Sequence, residues 1–288
     1  MIGGKATKRS RYGFKIEEQI RGTIEATKII RDAGLKIHII DAEWRPNDVS
    51  PSEFEELLSS FPDVKIFVTV AARRRDSIQL LKLYAPIIEE FGNAGLCIVA
   101  GNNAYLDFDE VTRSPCESVK LALSEVYGRT SRLLLGVEGL EKCLDNLIKA
   151  YPDVKLFFLY DEHKLDVMRS YAERGFECAV YVPYVIEHDS NYVARELMGY
   201  ALRRKWLRRE IEKLGYQASM LINSSEIPGE IMKILEHSIP KLCIHGPKKE
   251  VVRKLKILEA YGASMVIGLP IKESLEQVYA FSECLKQL

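Results

Sequence analysis

Cys243-Ile244-His245-Gly246-Pro247-Lys248-Lys249-Glu250 and, one helix later, Tyr261-Gly262-Ala263-Ser264-Met265-Val266-Ile267-Gly268-Leu269-Pro270 decide how this chain is read. The Gly246-Pro247 turn opens a helix that runs to Ala260, Gly262 stops it, and an apolar strand over 264–267 ends at Gly268-Leu269-Pro270 before a last helix. Proline at the start of a helix and glycine just past its end are the expected punctuation. A single unit of this kind could sit in many α/β folds. Repeated along a chain it requires parallel strands, because each return crossover needs a helix.

The unit does repeat. Upstream, apolar strands are predicted at 12–16, 35–40, 64–70, 96–100, 132–135, 154–160 and 178–186. Helical periodicity fills the gaps at 17–32, 53–60, 77–90, 117–127, 140–150, 164–174, 191–214 and 228–237, with Ser52 as the expected cap of the second helix. The strands read as continuous apolar runs rather than alternating ones, as strands covered on both faces do. About eight strand–helix units close into a (β/α)8 TIM barrel, expected here as a single domain over residues 1–288. An open doubly wound sheet is the alternative, and it lacks the G-x-G-x-x-G that should follow its first strand. The β run at 242–244 is an accessory piece in the last connection.

Lys plus Arg and Asp plus Glu are both 41, so no global basic field favours nucleic acid. The hydrophobic fraction of 47% suits a substantial core, and no apolar run approaches the ~20 residues of a membrane span. The N-terminal residues are basic without an apolar signal-peptide core, which predicts a cytoplasmic protein. The cysteines at 97, 116, 143, 178, 243 and 284 are scattered without a C-x-x-C pair. No metal site is expected, and all six thiols are expected buried and reduced.

In a barrel, chemistry gathers where strands end and loops to helices begin. The strand ends carry Asp41 and Glu43 beside Trp44; Val70 and Ala71 before Arg73-Arg74-Arg75; Gly101-Asn102; Gly136-Val137-Glu138-Gly139; Asp161-Glu162-His163; Glu187-His188-Asp189; and Gly268. Glycines at such turns let backbone N–H groups approach a ligand, but a tight turn also needs them. One of the three arginines is expected to face the rim, where a guanidinium suits phosphate or carboxylate. His163 is a candidate base, although Asp161 and Glu162 also read as helix caps. His38, inside a strand, reads as a core residue, and His245 as structural. The basic run from Arg203 to Arg209 reads as a solvated helix face.

With its units in order, the chain resembles the bacterial-luciferase-like superfamily of flavin- and coenzyme F420-dependent oxidoreductases, nearest the methylenetetrahydromethanopterin reductase branch. The closing stretch from Gly246 to Pro270 carries most of the resemblance. Arg11-Tyr12-Gly13-Phe14, Ile39-Ile40-Asp41, Gly92 to Gly101 and Leu134 to Gly139 follow more loosely. The resemblance implies F420 or FMN at the barrel mouth, held by Val70, Ala71, Gly101, Asn102, Gly136, Val137, Glu138, Gly139 and Gly268. It implies hydride transfer to a small substrate near Asp41, Glu43, Arg73 and His163, a shortened insertion before the last strand, and a homodimer. The sequence departs from the family pattern at Ala42, Leu96 and Leu140, where the family has histidine, arginine and proline. Those departures motivate a second expectation, a redox-inactive barrel that binds a ligand or partner, its mouth plugged by a side chain such as Tyr105, Trp44 or Phe108. A third is a barrel enzyme for a phosphorylated metabolite, gripped by an arginine from 73–75 and the Gly268 turn.

Overall fold

A computed structural model describes residues 12–15, 22–43, 49–202, 204–217, 221, 227–271 and 274–288. In chain order its elements are β1 (Tyr12–Lys15), α1 (Thr23–Asp32), β2 (Ile37–Ile40), α2 (Pro51–Ser60), β3 (Lys65–Ala71), α3 (Ser77–Glu90), β4 (Ala94–Val99), α4 (Phe108–Val111), α5 (Pro115–Val126), β5 (Leu133–Gly136), α6 (Leu144–Ala150), β6 (Lys155–Leu159), α7 (Leu165–Glu173), β7 (Cys178–Ile186), α8 (Ser190–Ala201), α9 (Lys205–Lys213), α10 (Gly229–Ser238), β8 (Ile244–Gly246), α11 (Lys248–Ala260), β9 (Ala263–Pro270) and α12 (Leu275–Leu285).

Every strand pairing is parallel. From β1 the order runs through β2 to β7, then β9, and returns to β1, so these strands close a ring. The expected (β/α)8 barrel is therefore the observed fold. β8 is the extra piece. It pairs with Tyr184 to Ile186, beyond the part of β7 (Cys178 to Tyr181) that pairs with β6. In a strand, alternate residues offer their backbone groups to opposite sides. Tyr181 O accepts from Tyr160 N and the Glu187 N–H donates to Gly246 O, so β8 lies on the same edge of β7 as β6, one storey higher.

Side-chain alternation sorts the core into two layers. Ile37, Ile39, Phe67, Cys97, Leu134 and Phe157 fill the barrel interior with Tyr181 and Ile267. Their neighbours, among them Ile66, Val68, Val70, Leu96 and Val180, face the surrounding helices. A separate cluster, including Val193, Leu197, Leu207, Ile211, Ile231 and Leu242, gives the long connection between β7 and β9 a small core of its own, seated on Val185.

Four local readings change. The second helix begins at Pro51 with Ser50, not Ser52, as N-cap. Ser50 and Glu53 form a reciprocal capping box, and Pro51 takes the first helical position, which leaves Ser52 inside the first turn. The helix expected over 191–214 is two helices, because the apolar stripe ending at Ala201 and Leu202 resumes at Leu207, out of helical phase, and the chain turns to bury both sets. Gly268 lies inside β9 rather than at its end. The cysteines are not all reduced. Cys116 and Cys143 are disulfide-bonded across 6.1 Å between Cα atoms, while Cys97, Cys178, Cys243 and Cys284 are free and buried. The bridge joins the first turn of α5 to the residue before α6, the two loops that follow β4 and β5. Among the described residues no helix is long and apolar enough to cross a membrane.

Candidate active site

The strands all run the same way, so their C-terminal ends share one rim. Just inside it, Cys97 and Leu134 are fully buried, whereas Val99 and Leu159, the next inward-facing residues on β4 and β6, are only partly covered. The interior is therefore sealed below and incompletely roofed at this end. Small residues line the β3 to β5 side, with the side chains of Val99 and Leu106 packed against them. A Cβ on Gly136 would stand 2.8 Å from Val99 Cγ1, and one on Gly101, whose φ is +100°, would meet Ala71 Cβ at 3.3 Å. A depression lined by Ala33, Gly34, Leu35, Ser282, Leu285 and Lys286 lies at the opposite end, beside the turn into β2, away from these groups.

The three arginines diverge, and the buried ones hold the wall. Arg73 Nε donates to Ala100 O at 3.0 Å, Nη1 to Val111 O at 3.3 Å, and Nη2 to both Gly101 O and Asn103 Oδ1, the latter at 2.8 Å. Its guanidinium thus serves as the framework of the loop after β4. Burial lowers its pKa, and the nearby Glu43 carboxylate opposes that shift. Arg74, 2% exposed, forks onto Asp76 and reaches Ala42 O at 3.2 Å. Arg75 turns outward to Asp109 at 2.7 Å, and its backbone N–H donates to the fully buried Glu110. Asp41 is buried at the end of β2, where it accepts from Glu43 N at 3.2 Å, and Glu43 in turn accepts from Asn102 N. The loops after β2, β3 and β4 are therefore knitted together through charged groups.

Two of the expected ligand contacts are displaced. Val70 faces the helices, because alternation turns Ala71 inward instead. Gly268 also faces outward: a Cβ there would come within 3.0 Å of Tyr184 and 3.1 Å of Phe281, so this glycine serves packing against α12. Asp41, Glu43, Ala71, Gly101, Asn102 and Gly136 do gather at the rim, with Val137, Glu138 and Gly139 in the turn after β5. His163 is exposed beyond β6, its backbone N–H bonded to Asp161 Oδ1 at 3.0 Å.

The covering group was not anticipated. Phe108 is 89% exposed, Tyr105 is partly exposed, and Trp44 lies outside the described residues. Instead, Tyr200 at the end of α8 packs on the interior cluster that contains Tyr181. The Arg204 guanidinium lies 4.9 Å from the Tyr200 ring centre and donates to its hydroxyl. The phenols of Tyr200 and Tyr181 and the Glu138 carboxylate keep Arg204 charged despite its burial. The phase slip between Leu202 and Leu207 was the available signal for this corner. Beyond β7, His188 stacks on Tyr192 at 4.0 Å, Asp189 caps α8, and His245 Nε2 lies 3.3 Å from Ser190 Oγ. Among the described residues no group of His, Cys, Asp and Glu side chains is arranged to hold a metal ion.

A family model described as "Family of unknown function (DUF7388)" matches residues 20–278. An uncharacterised protein of Methanocaldococcus jannaschii is 28% identical over 169 residues, which cover 58% of this chain and 66% of that protein, just under two thirds of its length. Among solved structures, an F420-dependent secondary alcohol dehydrogenase in complex with an F420–acetone adduct superposes with a TM-score of 0.64 at 12% identity, over 96% of this chain and 98% of that one. The long-chain alkane monooxygenase LadA gives 0.66 at 10% identity, over 98% and 91%. A riboflavin lyase with modified FMN and riboflavin gives 0.64 at 10% identity, over 97% and 91%. At these identities the likeness is one of fold alone.

Proposed function

The chain belongs to DUF7388, a family of unknown function, and from that premise we propose that it is an oxidoreductase that binds coenzyme F420 or FMN at the barrel mouth and moves a hydride between that cofactor and a small substrate. The observation that carries the reading is the incompletely roofed upper layer of the barrel, bordered by the small residues Ala71, Gly101 and Gly136. A flat ring system needs such an apolar floor, and here it would lie beside the side chains of Val99 and Leu106. These residues fit a flavin-type ring. Ala71, Gly101, Asn102 and the turn from Gly136 to Gly139 are the groups that would hold it. Asp41, Glu43 and His163 are the candidates for the substrate side.

When bound, such a cofactor supplies the redox chemistry, and the protein supplies binding, orientation and electrostatics. Tyr200 and Arg204 limit water above the mouth. Asp41 keeps a carboxylate at its edge, fixed by the Glu43 N–H. The finer assignment to the methylenetetrahydromethanopterin reductase branch, and a homodimer, belong to the proposal through the resemblance of the closing stretch.

The test is ligand-linked stability. At about one hundred times its Kd, a cofactor bound only by the folded state adds about 2.7 kcal/mol. A rise in Tm with F420 or FMN, together with a perturbed ligand absorbance spectrum, is expected. Neither change at saturating cofactor would overturn the proposal. The position of Tyr200 favours a second reading, a binding barrel with a plugged mouth. That reading predicts that Tyr200→Ala gains a cofactor affinity the parent chain lacks.

A further inference from the structure

At the corner between α8 and α9, the Arg204 guanidinium has no ion-pair partner among the described residues. Arg204 stacks on Tyr200 and gives it one hydrogen bond. A guanidinium carries five N–H donors in a planar fork. Among the described residues, the Tyr200 hydroxyl oxygen is the acceptor its side chain reaches, and no carboxylate lies within ion-pair distance. Glu138 acts on it only through space and is itself exposed. A charge partly withdrawn from water with its donors idle is costly unless a partner arrives. Most of the other arginine forks described here are committed: Arg73 to four acceptors, Arg74 to Asp76 and Ala42, Arg75 to Asp109. Arg204 is the exception at the rim.

A second feature converges on the same point. Arg204 is the N-cap residue of α9, a nine-residue helix with no side-chain cap and no acidic residue in its first turn. The unbonded first-turn N–H groups and the positive end of the helix dipole therefore lie beside the guanidinium. The neighbouring charges add to this: Lys205 is exposed, and Arg208 Nε is held by Leu202 O at 3.1 Å.

We propose that Arg204, together with the start of α9, is the receptor for an anionic oxygen group, phosphate or carboxylate, on a ligand that occupies the barrel mouth. This deepens the preceding proposal and rests on it for the ligand's location. The anion belongs either to the cofactor or to the substrate. Arg204 is a binding residue in this scheme, and a bidentate oxyanion replaces the water its fork would otherwise need.

The experiment uses the full chain, with inorganic phosphate and acetate as probes in calorimetric titration at ionic strength held constant with sodium chloride. Saturable binding of at least one probe is expected in the parent chain. Arg204→Gln is expected to weaken it at least tenfold, Arg204→Lys to weaken it less, and the exposed Arg209→Gln to leave it unchanged. Circular dichroism identifies any variant that fails to fold, and the lysine variant then carries the comparison. No saturable binding in the parent chain, or equal binding in Arg204→Gln, overturns the proposal. Titration with FMN and riboflavin separates the sources. If Arg204→Gln removes the preference for FMN, the anion is the cofactor's phosphate. If the preference stays while acetate or phosphate binding is lost, the anion is the substrate's. Arg204-dependent phosphate binding without any flavin or F420 binding would keep the anion site and defeat the redox reading.

Discussion

His38 makes the fold acid-sensitive in a way that can be calculated. It lies on β2, 1% exposed, against α1. The Thr27 hydroxyl has one proton, and that proton goes to Thr23 O at 2.7 Å. The 2.9 Å contact between Thr27 Oγ1 and His38 Nδ1 therefore needs the imidazole to donate, which assigns the neutral ring with hydrogen on Nδ1. Burial disfavours the charged form and lowers the His38 pKa from 6.5 to about 3. The unfolded chain binds this proton at about 6.5, so the stabilisation is complete above that pH and is lost as the pH falls toward 3. At pH 5 the loss is RT ln(1 + 10^1.5), or about 2 kcal/mol. Urea unfolding at pH 8 and pH 5 should show the parent chain losing about 2 kcal/mol more than His38→Asn, whose amide keeps an N–H donor but does not titrate. Equal losses in the two proteins would refute the assignment of a buried neutral imidazole.

Three further outcomes follow from single features. Reduction, or the Cys116→Ser/Cys143→Ser pair, opens a loop with a sequence separation of 27 and should cost up to about 3–4 kcal/mol in the chain-entropy account; unreduced protein that alkylates at both residues would dismiss the bridge. Gly268→Ala drives a Cβ against Tyr184 and Phe281, rings stacked at 4.4 Å and fully buried, and should cost roughly 1–3 kcal/mol in urea while leaving ligand affinity unchanged. Arg73→Lys keeps the charge but cannot span four acceptors; a loss of roughly 2–4 kcal/mol and faster proteolysis within 100–112 are expected, and unchanged cleavage would deny its role as the loop's frame.

Much of the barrel could be read in the sequence because its signals are local. Cys178–Ile186 and Ser77–Glu90 have the predicted bounds, since an unbroken apolar run and a clean helical period each mark their own ends. The candidate site was legible only as a rim of strand ends. Ala71, Gly101 and Gly136 were placed there by counting strands. Val70 and Gly268 were lost to alternation, because a shift of one residue exchanges the inside of the barrel for the outside. Tyr200 and Arg204 were hidden inside what read as one solvated helix, and only the slip from Leu202 to Leu207 betrayed the corner.

The sequence by itself determined the alternation of strands and helices, the parallel sheet that alternation forces, and hence the rim of strand ends where the candidate site lies. These follow from periodicity, turn chemistry and the length of a crossover. Tertiary structure alone decided how the charges are used. Adjacent arginines at 73, 74 and 75 are indistinguishable as letters, yet two are buried on backbone and side-chain acceptors of the loops and one pairs at the surface. Arg204, which looked like one of several solvated cations, becomes the group above the mouth. Burial and partner distance set the role of a charge, and both arise only when segments remote in sequence close on one another.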